Sequence, residues 1–423
     1  MRRSPVIFCL VLLVASICPA QTPKDVRAVA KQGQTAVPTV AAYLNSASVD
    51  TRIEAVKQLT ALGGKDTIDP LIRATKDADP EMQFRATDGL VNYYLPGYVR
   101  QGIGSTVVRV GGAIKAKFSD SNDQIVDAFV LVRPDVVAAL GQLARGGSSM
   151  DSRANACRAL GILRGRAALP DLIEALRSRD NSVMYESLAA MQKIADPSAG
   201  PRITYLLRDL DDRVQSTAIE TAGTLRSTDA LPTLRGIVAN PRNNKAQRAA
   251  LDAIAMMPQM QDRDLFLSQL GSKDEKLRAA AAEGLGRIGN RADESALERS
   301  WNGEDKMSPR LAAAFGLLMD GNLNLADDSP FRYLINTLNS AAYHDVAYAY
   351  LVEAARQKPV LQALYTQLDQ GTKEERIYLA RVLAASGDQA SVPYLDKVSR
   401  DTDQDVAKEG LRTLRSLRAR LGT

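Results

Sequence analysis

The sequence predicts an all-α fold, an α-solenoid of stacked helix pairs carrying one long insertion, and three observations predict it. First is a recurring helical frame. In Asp274–Gly289, DEKLRAAAAEGLGRIG, Arg278 is followed by Ala281, Leu285 and Ile288, a spacing that sets the apolar residues on one stripe of a helix. The same frame starts from Arg52 (Ala55, Leu59, Leu62) and Arg153 (Ala156, Leu160, Leu163). With other residues in the first slot it starts from Gln83, Met184, Gln215, Gln247 and Ala407. The slots at 153, 184, 215, 247 and 278 lie 31, 31, 32 and 31 residues apart. Such a period marks supersecondary units that bury a continuous core only by stacking.

The second observation supplies the other helix of each unit. Prolines at 38, 70, 134, 170, 201, 232 and 393 each open a short apolar run, as in Leu169-Pro170-Asp171-Leu172-Ile173-Glu174-Ala175-Leu176. Proline suits the first turn because the N–H it lacks would be unpaired there. Asp-rich turns such as Arg179-Asp180-Asn181-Ser182 then lead into the framed helix, with Asp placed to cap it. The third observation is composition. Aromatics make up 5% of the 423 residues, with a single Trp, so the core is built from Ala and Leu on closely spaced helices.

The first residues are of another kind. Arg2 and Arg3 precede an apolar run from Val6 to Ile17, and Cys18-Pro19-Ala20 ends on a small residue. This predicts a secretory signal over 1–20, and hence export to the periplasm or cell envelope, or secretion. Signal removal leaves Cys157 as the one cysteine, read as a small core residue, not a nucleophile. The formal charge of +5, less Arg2 and Arg3, leaves about +3 with both signs mixed. That is too weak and dispersed for nucleic acid.

Four segments follow the signal: N-terminal repeats over 21–94, the insertion over 95–133, regular repeats over 134–290, and divergent repeats with a cap over 291–423. Slots 83 and 153 are 70 apart, which locates the insertion. Within it Ile103, Val107, Val110, Ile114 and Phe118 fall on one helical face. It is read either as a docking surface for a partner or membrane face, formed by Tyr93, Tyr94, Tyr98, Arg100, Arg109 and Phe118, or as a flap covering a gap in the solenoid. The arginines of the last helix, Arg412, Arg415, Arg418 and Arg420, read as a solvated face on a terminal unit.

The pattern D-x-x-V/L-R-x-x-A-x-x-x-L-x-x-I/L-G, with a Pro-led helix before it, resembles HEAT repeats. The short bacterial kind related to the phycobilisome lyase HEAT-like family is the most similar type. The resemblance covers about Pro38 to Leu417, apart from the insertion and the degraded 320–350 region. It implies protein-partner binding more often than chemistry. Among enzymes that resemble it, deoxyhypusine hydroxylase holds two irons with His-Glu pairs. With His344 as the one histidine, that cage cannot be assembled here. Bilin lyases attach a pigment, but no residues here mark a bilin site.

The sequence therefore offers no catalytic residues, no metal ligands and no cofactor. His344 sits beside Asp345 without a second positioned partner for acid–base work. The Asp-rich turns at 209–212 and 401–405 lack the Gly and distal Glu of a Ca²⁺ loop. What remains is surface. Five residues past the slot, each framed helix points away from its apolar stripe, and there Glu220, Asp252 and Glu283 form an acidic ladder on neighbouring units. This strip on the concave side is the candidate partner-binding face. The function read from sequence is an exported protein-interaction scaffold and not an enzyme, the alternative being a HEAT-like oxidoreductase or bilin lyase. Peripheral membrane contact through the insertion is the third option.

Overall fold

The computed structural model describes residues 22–99 and 124–422, together with the strands at 106–110 and 113–117. Its helices form two layers. The inner layer starts with α1 (Pro23–Ala30), α3 (Val49–Leu62), α5 (Pro80–Tyr94), α7 (Met150–Ile162), α9 (Asn181–Ile194) and α11 (Asp212–Thr224). It continues through α13 (Asn244–Met256), α15 (Glu275–Ile288), α17 (Met307–Met319), α19 (His344–Ala354), α21 (Lys373–Ser386) and α23 (Gln404–Leu421). The outer layer starts with α2 (Val37–Ala42), α4 (Ile68–Ala74), α6 (Pro134–Gly146), α8 (Leu169–Ala175), α10 (Gly200–Ile203) and α12 (Leu231–Ala239). Its remaining members are α14 (Arg263–Gln269), α16 (Glu294–Gly303), α18 (Pro330–Thr337), α20 (Lys358–Gln370) and α22 (Val392–Val398). Successive inner helices pack on one another, and from α3 on each also packs on the outer helix that precedes it. This is the all-α solenoid.

The slot residue has a defined task. Arg52 Nη1 donates to the Ser46 carbonyl at 3.0 Å, Arg153 Nε to Ala144 at 3.0 Å, and Arg278 Nη1 to Ser272 at 2.9 Å. Gln215 and Gln247 do the same to Leu207 and Val238. All five carbonyls lie at or just past the end of the outer segment of the same unit, where helical carbonyls lack partners. A side-chain N–H donor serves this task, which explains why Arg and Gln share the slot in these units, while Met184 and Ala407 fill it without one. Arg52 and Arg278 also reach on to Asp77 and Glu304 in the next turn, at 2.8 and 2.7 Å.

The turns cap as the composition predicts. Asp211 accepts from the Arg213 and Val214 amides, and Asp403 from Asp405 and Val406. Eleven residues past the slot the framed helix ends in a left-handed residue: Gly63, Arg164, Ala195, Arg226 and Gly289, with φ of 63, 51, 53, 51 and 65°. A non-glycine residue there costs about 1–2 kcal/mol, so the two arginines stand against the backbone preference. Small residues set the inner spacing. A Cβ on Gly286 of α15 would run into the Cα of Gly316 of α17, so these backbones are in direct contact.

The insertion departs from the sequence reading. Thr106–Val110 and Ala113–Lys117 pair as an antiparallel hairpin, Val110 opposite Ala113, not as a helix. The β-branched run Val107-Val108 and the Gly111-Gly112 pair are hairpin signals that outweigh the helical spacing. Nor is there a gap for a flap to cover, because α5 packs directly on α7 across the insertion point. The tail of the insertion returns to the solenoid, where the Val126 amide donates to the Ile162 carbonyl at the end of α7 (2.9 Å).

Among the described residues no helix is long and apolar enough to cross a membrane.

Candidate functional site: the lumenal face

The inner layer curves so far that distant units meet across its concave side. Glu353 on α19 accepts from Arg287 of α15 (Nη2 to Oε2, 2.9 Å) and from Arg226, just past α11 (Nη2 to Oε1, 2.9 Å). The register of the repeat places Glu220, Asp252 and Glu283 on successive inner helices α11, α13 and α15, and all three line this lumen.

Glu283 is engaged. Tyr350 Oη donates to its Oε1 at 2.5 Å and Arg287 Nη1 to its Oε2 at 2.8 Å. The Tyr350 ring stacks on Phe315 at 4.6 Å between centroids, and Arg287 also donates to the Ala255 carbonyl at 2.9 Å. Burial, then the charge of Glu283, raises the Tyr350 phenol well above its ordinary range. Burial likewise pushes the Glu353 carboxyl up, but Arg287 and Arg226 outweigh it and hold Glu353 below the usual carboxylate range. The result is a fixed, fully paired network at one wall of the lumen.

Asp252 and Glu220 differ. Both are open to solvent, yet the surrounding protein displaces much of the water that would stabilise their charge. Burial in the groove, followed by Glu283 and Glu220 with Lys276 opposing, pushes Asp252 up to about 8. Its open access to water limits how much of that rise reports on stability. Glu220 moves in the same direction through burial, with Lys245 opposing. The lumen thus presents Asp252, whose charge its surroundings disfavour, beside the ion-paired Glu353, whose charge they favour.

The insertion candidates scatter. Tyr98 is 2% exposed and turned into the core, so it presents no docking surface. Tyr93 and Tyr94 are half-buried and meet edge to face at 4.8 Å. Tyr94 Oη accepts from the Arg133 amide at 3.1 Å, which anchors the far end of the insertion. Arg109 falls in the first strand of the hairpin, and Arg100 and Phe118 lie outside the described residues. Arg412, read as solvated, instead bonds Asp127 in the insertion tail.

Other sequence candidates are settled by geometry. Cys157 is fully buried, accepts from Ser187 Oγ at 3.2 Å, and burial pushes its thiol up to about 12; a thiolate nucleophile is disfavoured there. His344 opens α19, with Nδ1 2.7 Å from the Ser340 carbonyl and Nε2 3.2 Å from Asp345. Among the described residues no group of His, Cys, Asp or Glu is arranged to hold a metal ion.

Paired helices, a 31-residue period and left-handed helix ends define this chain as an α-solenoid of stacked helix pairs. Residues 137–207 and 172–255 match the family profile for HEAT repeats. The chain is also similar to phycocyanobilin lyase subunit alpha of Nostoc sp., 29% identical over 178 residues, which are 39% of this chain and 63% of that protein. The chain therefore spans less than two thirds of that relative's length. Two solved structures align with it: the complex of CpcE and CpcF of phycocyanin lyase from Nostoc sp. and human deoxyhypusine hydroxylase in complex with glycerol. For the first, identity is 21%, TM-score 0.37, with 63% of this chain and 92% of that chain covered. For the second, the values are 17%, 0.28, 67% and 96%. Scores this low add nothing to the fold already described.

The similarity to a lyase subunit corrects one expectation. The sequence was read as that of a binding protein without enzymatic role, because no catalytic triad, metal cage or pigment signature is visible. Relationship to a lyase subunit overturns that reading. Asp252, which the repeat register already places on the candidate partner-binding strip, is exposed on α13, and its surroundings raise its carboxyl.

Proposed function

We propose that this chain is a lyase-type HEAT subunit. It holds a protein partner along the lumenal face, and Asp252 moves the proton that a bond-forming addition or bond-breaking elimination requires. The observation that carries this reading is the similarity to phycocyanobilin lyase subunit alpha; Asp252, on the acidic strip of the lumen beside Glu220 and Glu283, with its carboxyl pushed up there, is the candidate proton carrier. A general acid works best when its pKa lies near the operating pH. By the same relationship the substrate proposed is a bilin, and the word subunit points to action with a second chain.

The test is direct. Purified protein is mixed with phycocyanobilin and an apo-phycocyanin acceptor, with and without a second lyase subunit, and covalent attachment is followed by absorbance and mass spectrometry. Attachment that needs this chain and drops in Asp252→Asn supports the proposal. Absence of both bilin binding and attachment, with every partner supplied, rejects it. Retained acceptor binding with no chemistry would favour the pure scaffold, a reading supported by the long concave surface.

Export remains a separate proposal. It is supported by the Arg2-Arg3, Val6–Ile17, Ala20 pattern, and the mass of the mature chain from envelope fractions tests it. Membrane contact through the insertion is tested by liposome flotation with and without residues 96–132.

A further inference from the structure

A cleft of about 650 Å³ opens where the insertion tail and the end of α7 face α19, α21 and α23. It is separate from the lumenal carboxylates, and its volume falls in the range of small-molecule sites. Its charges do not cancel. Arg412 bonds Asp127 and Glu409, and Arg381 bonds Glu409, so four of the lining charges are satisfied among themselves. Arg420 is held by two uncharged groups, the carbonyls of Ala384 and Gly387, which leave its charge unneutralised. Arg164 is exposed and has no polar side-chain partner among the described residues. On the acidic side only Asp345 is left, beside His344.

Arg164 sits at the left-handed helix end that Ala195 and Arg226 also occupy in neighbouring units, and its side chain lies on the cleft wall. The same cleft is lined by the rings of Tyr348 and Tyr378, 6.1 Å apart and inclined at 58°, the second already faced by Arg381 and His344, and by small residues such as Ala419 that leave room for a flat body.

We propose that this cleft binds a small organic anion with a planar apolar body, an aryl carboxylate, its carboxylate paired with Arg164, the unneutralised charge of Arg420 adding to the attraction, and its body against Tyr348. Guanidinium matches carboxylate geometry, and tyrosine accepts a flat apolar ring. The site stands whether or not the lumenal face is a lyase site.

Isothermal titration of the full chain with 2-naphthoate tests it, with 2-naphthalenemethanol as the neutral analogue. One-to-one binding is expected, with a dissociation constant below about 1 mM and at least about tenfold weaker binding of the neutral analogue. Arg164→Gly keeps the backbone position and removes the charge; it should weaken binding about fivefold or more. Ala419→Trp should fill the cleft and abolish binding, with melting temperatures near that of the unaltered protein. Absence of saturable binding overturns the proposal. Equal affinity for the neutral analogue, or unchanged affinity in both folded variants, overturns it as well.

Discussion

Arg412 on the last helix grips Asp127, 285 residues earlier, through Nε at 3.0 Å and Nη2 at 2.5 Å. The contact joins the final unit to the insertion tail, which is itself tied to the end of α7, and so bridges α7 and α23 across the curve of the inner layer. Both side chains are partly exposed, so the pair contributes to stability only about 0.2–1 kcal/mol. Its effect is on shape. Arg412→Ala should leave the melting temperature nearly unchanged while the radius of gyration in small-angle scattering rises. High salt should produce part of the same expansion in the unaltered protein.

Tyr350 and Glu283 join α19 to α15 through a hydrogen bond to a charged acceptor inside the lumen. Such bonds contribute about 1.5–3 kcal/mol. Tyr350→Phe keeps the stack on Phe315 and removes only the hydroxyl, so it should destabilise by about 2 kcal/mol in urea unfolding. Combined with Glu283→Gln the losses should not add, because the two residues act on one bond.

Two lumenal carboxyls pull stability in opposite directions with pH. Glu353 is held below its unfolded range, so its contribution is present above that range and is lost as pH falls through the lowered folded value. Asp252 is raised to about 8. The native state keeps its proton, so its contribution is full below the unfolded value near 3.9 and is lost as pH rises toward 8. Asp252→Asn should therefore melt higher than the unaltered protein at pH 8.5, with the difference vanishing by pH 4. Solvent access to Asp252 keeps the gain below about 1 kcal/mol. Melts at both pH values check the sign.

Gly286 faces the backbone of Gly316. Gly286→Ala gains about 1 kcal/mol of helix propensity but forces α15 and α17 apart, an overpacking cost of about 1–3 kcal/mol or more. A net loss of about 2 kcal/mol is expected by chemical denaturation. Gly289→Ala, at a left-handed helix end with open space around it, should cost about 1 kcal/mol through backbone strain alone.

The repeat was legible because each unit repeats its chemistry locally. Arg278 with Ala281, Leu285 and Ile288 fixes helix, stripe and register without reference to any other part of the chain. Register alone also placed Glu220, Asp252 and Glu283 on one strip. The closure of the lumen was not legible. Glu353 meets Arg226 because small rotations add up over successive units, and no pairwise spacing in the sequence encodes that sum. The Tyr-rich 333–350 segment looked like decay of the repeat, yet it supplies Tyr350 and leads into Glu353, the residues that complete the lumenal network. In the insertion, helical spacing competed with β-branched residues and a Gly-Gly pair, and the local hairpin signal prevailed.

The proposal that Asp252 acts as the proton-transfer group is tested most directly by the pH profile of bilin attachment to apo-phycocyanin, measured for the unaltered chain and for Asp252→Asn. The unaltered protein should lose rate as pH rises past about 8, where Asp252 gives up its proton, and the variant should be slow and flat across that range. Identical profiles, or no attachment by either protein with all partners present, would contradict it.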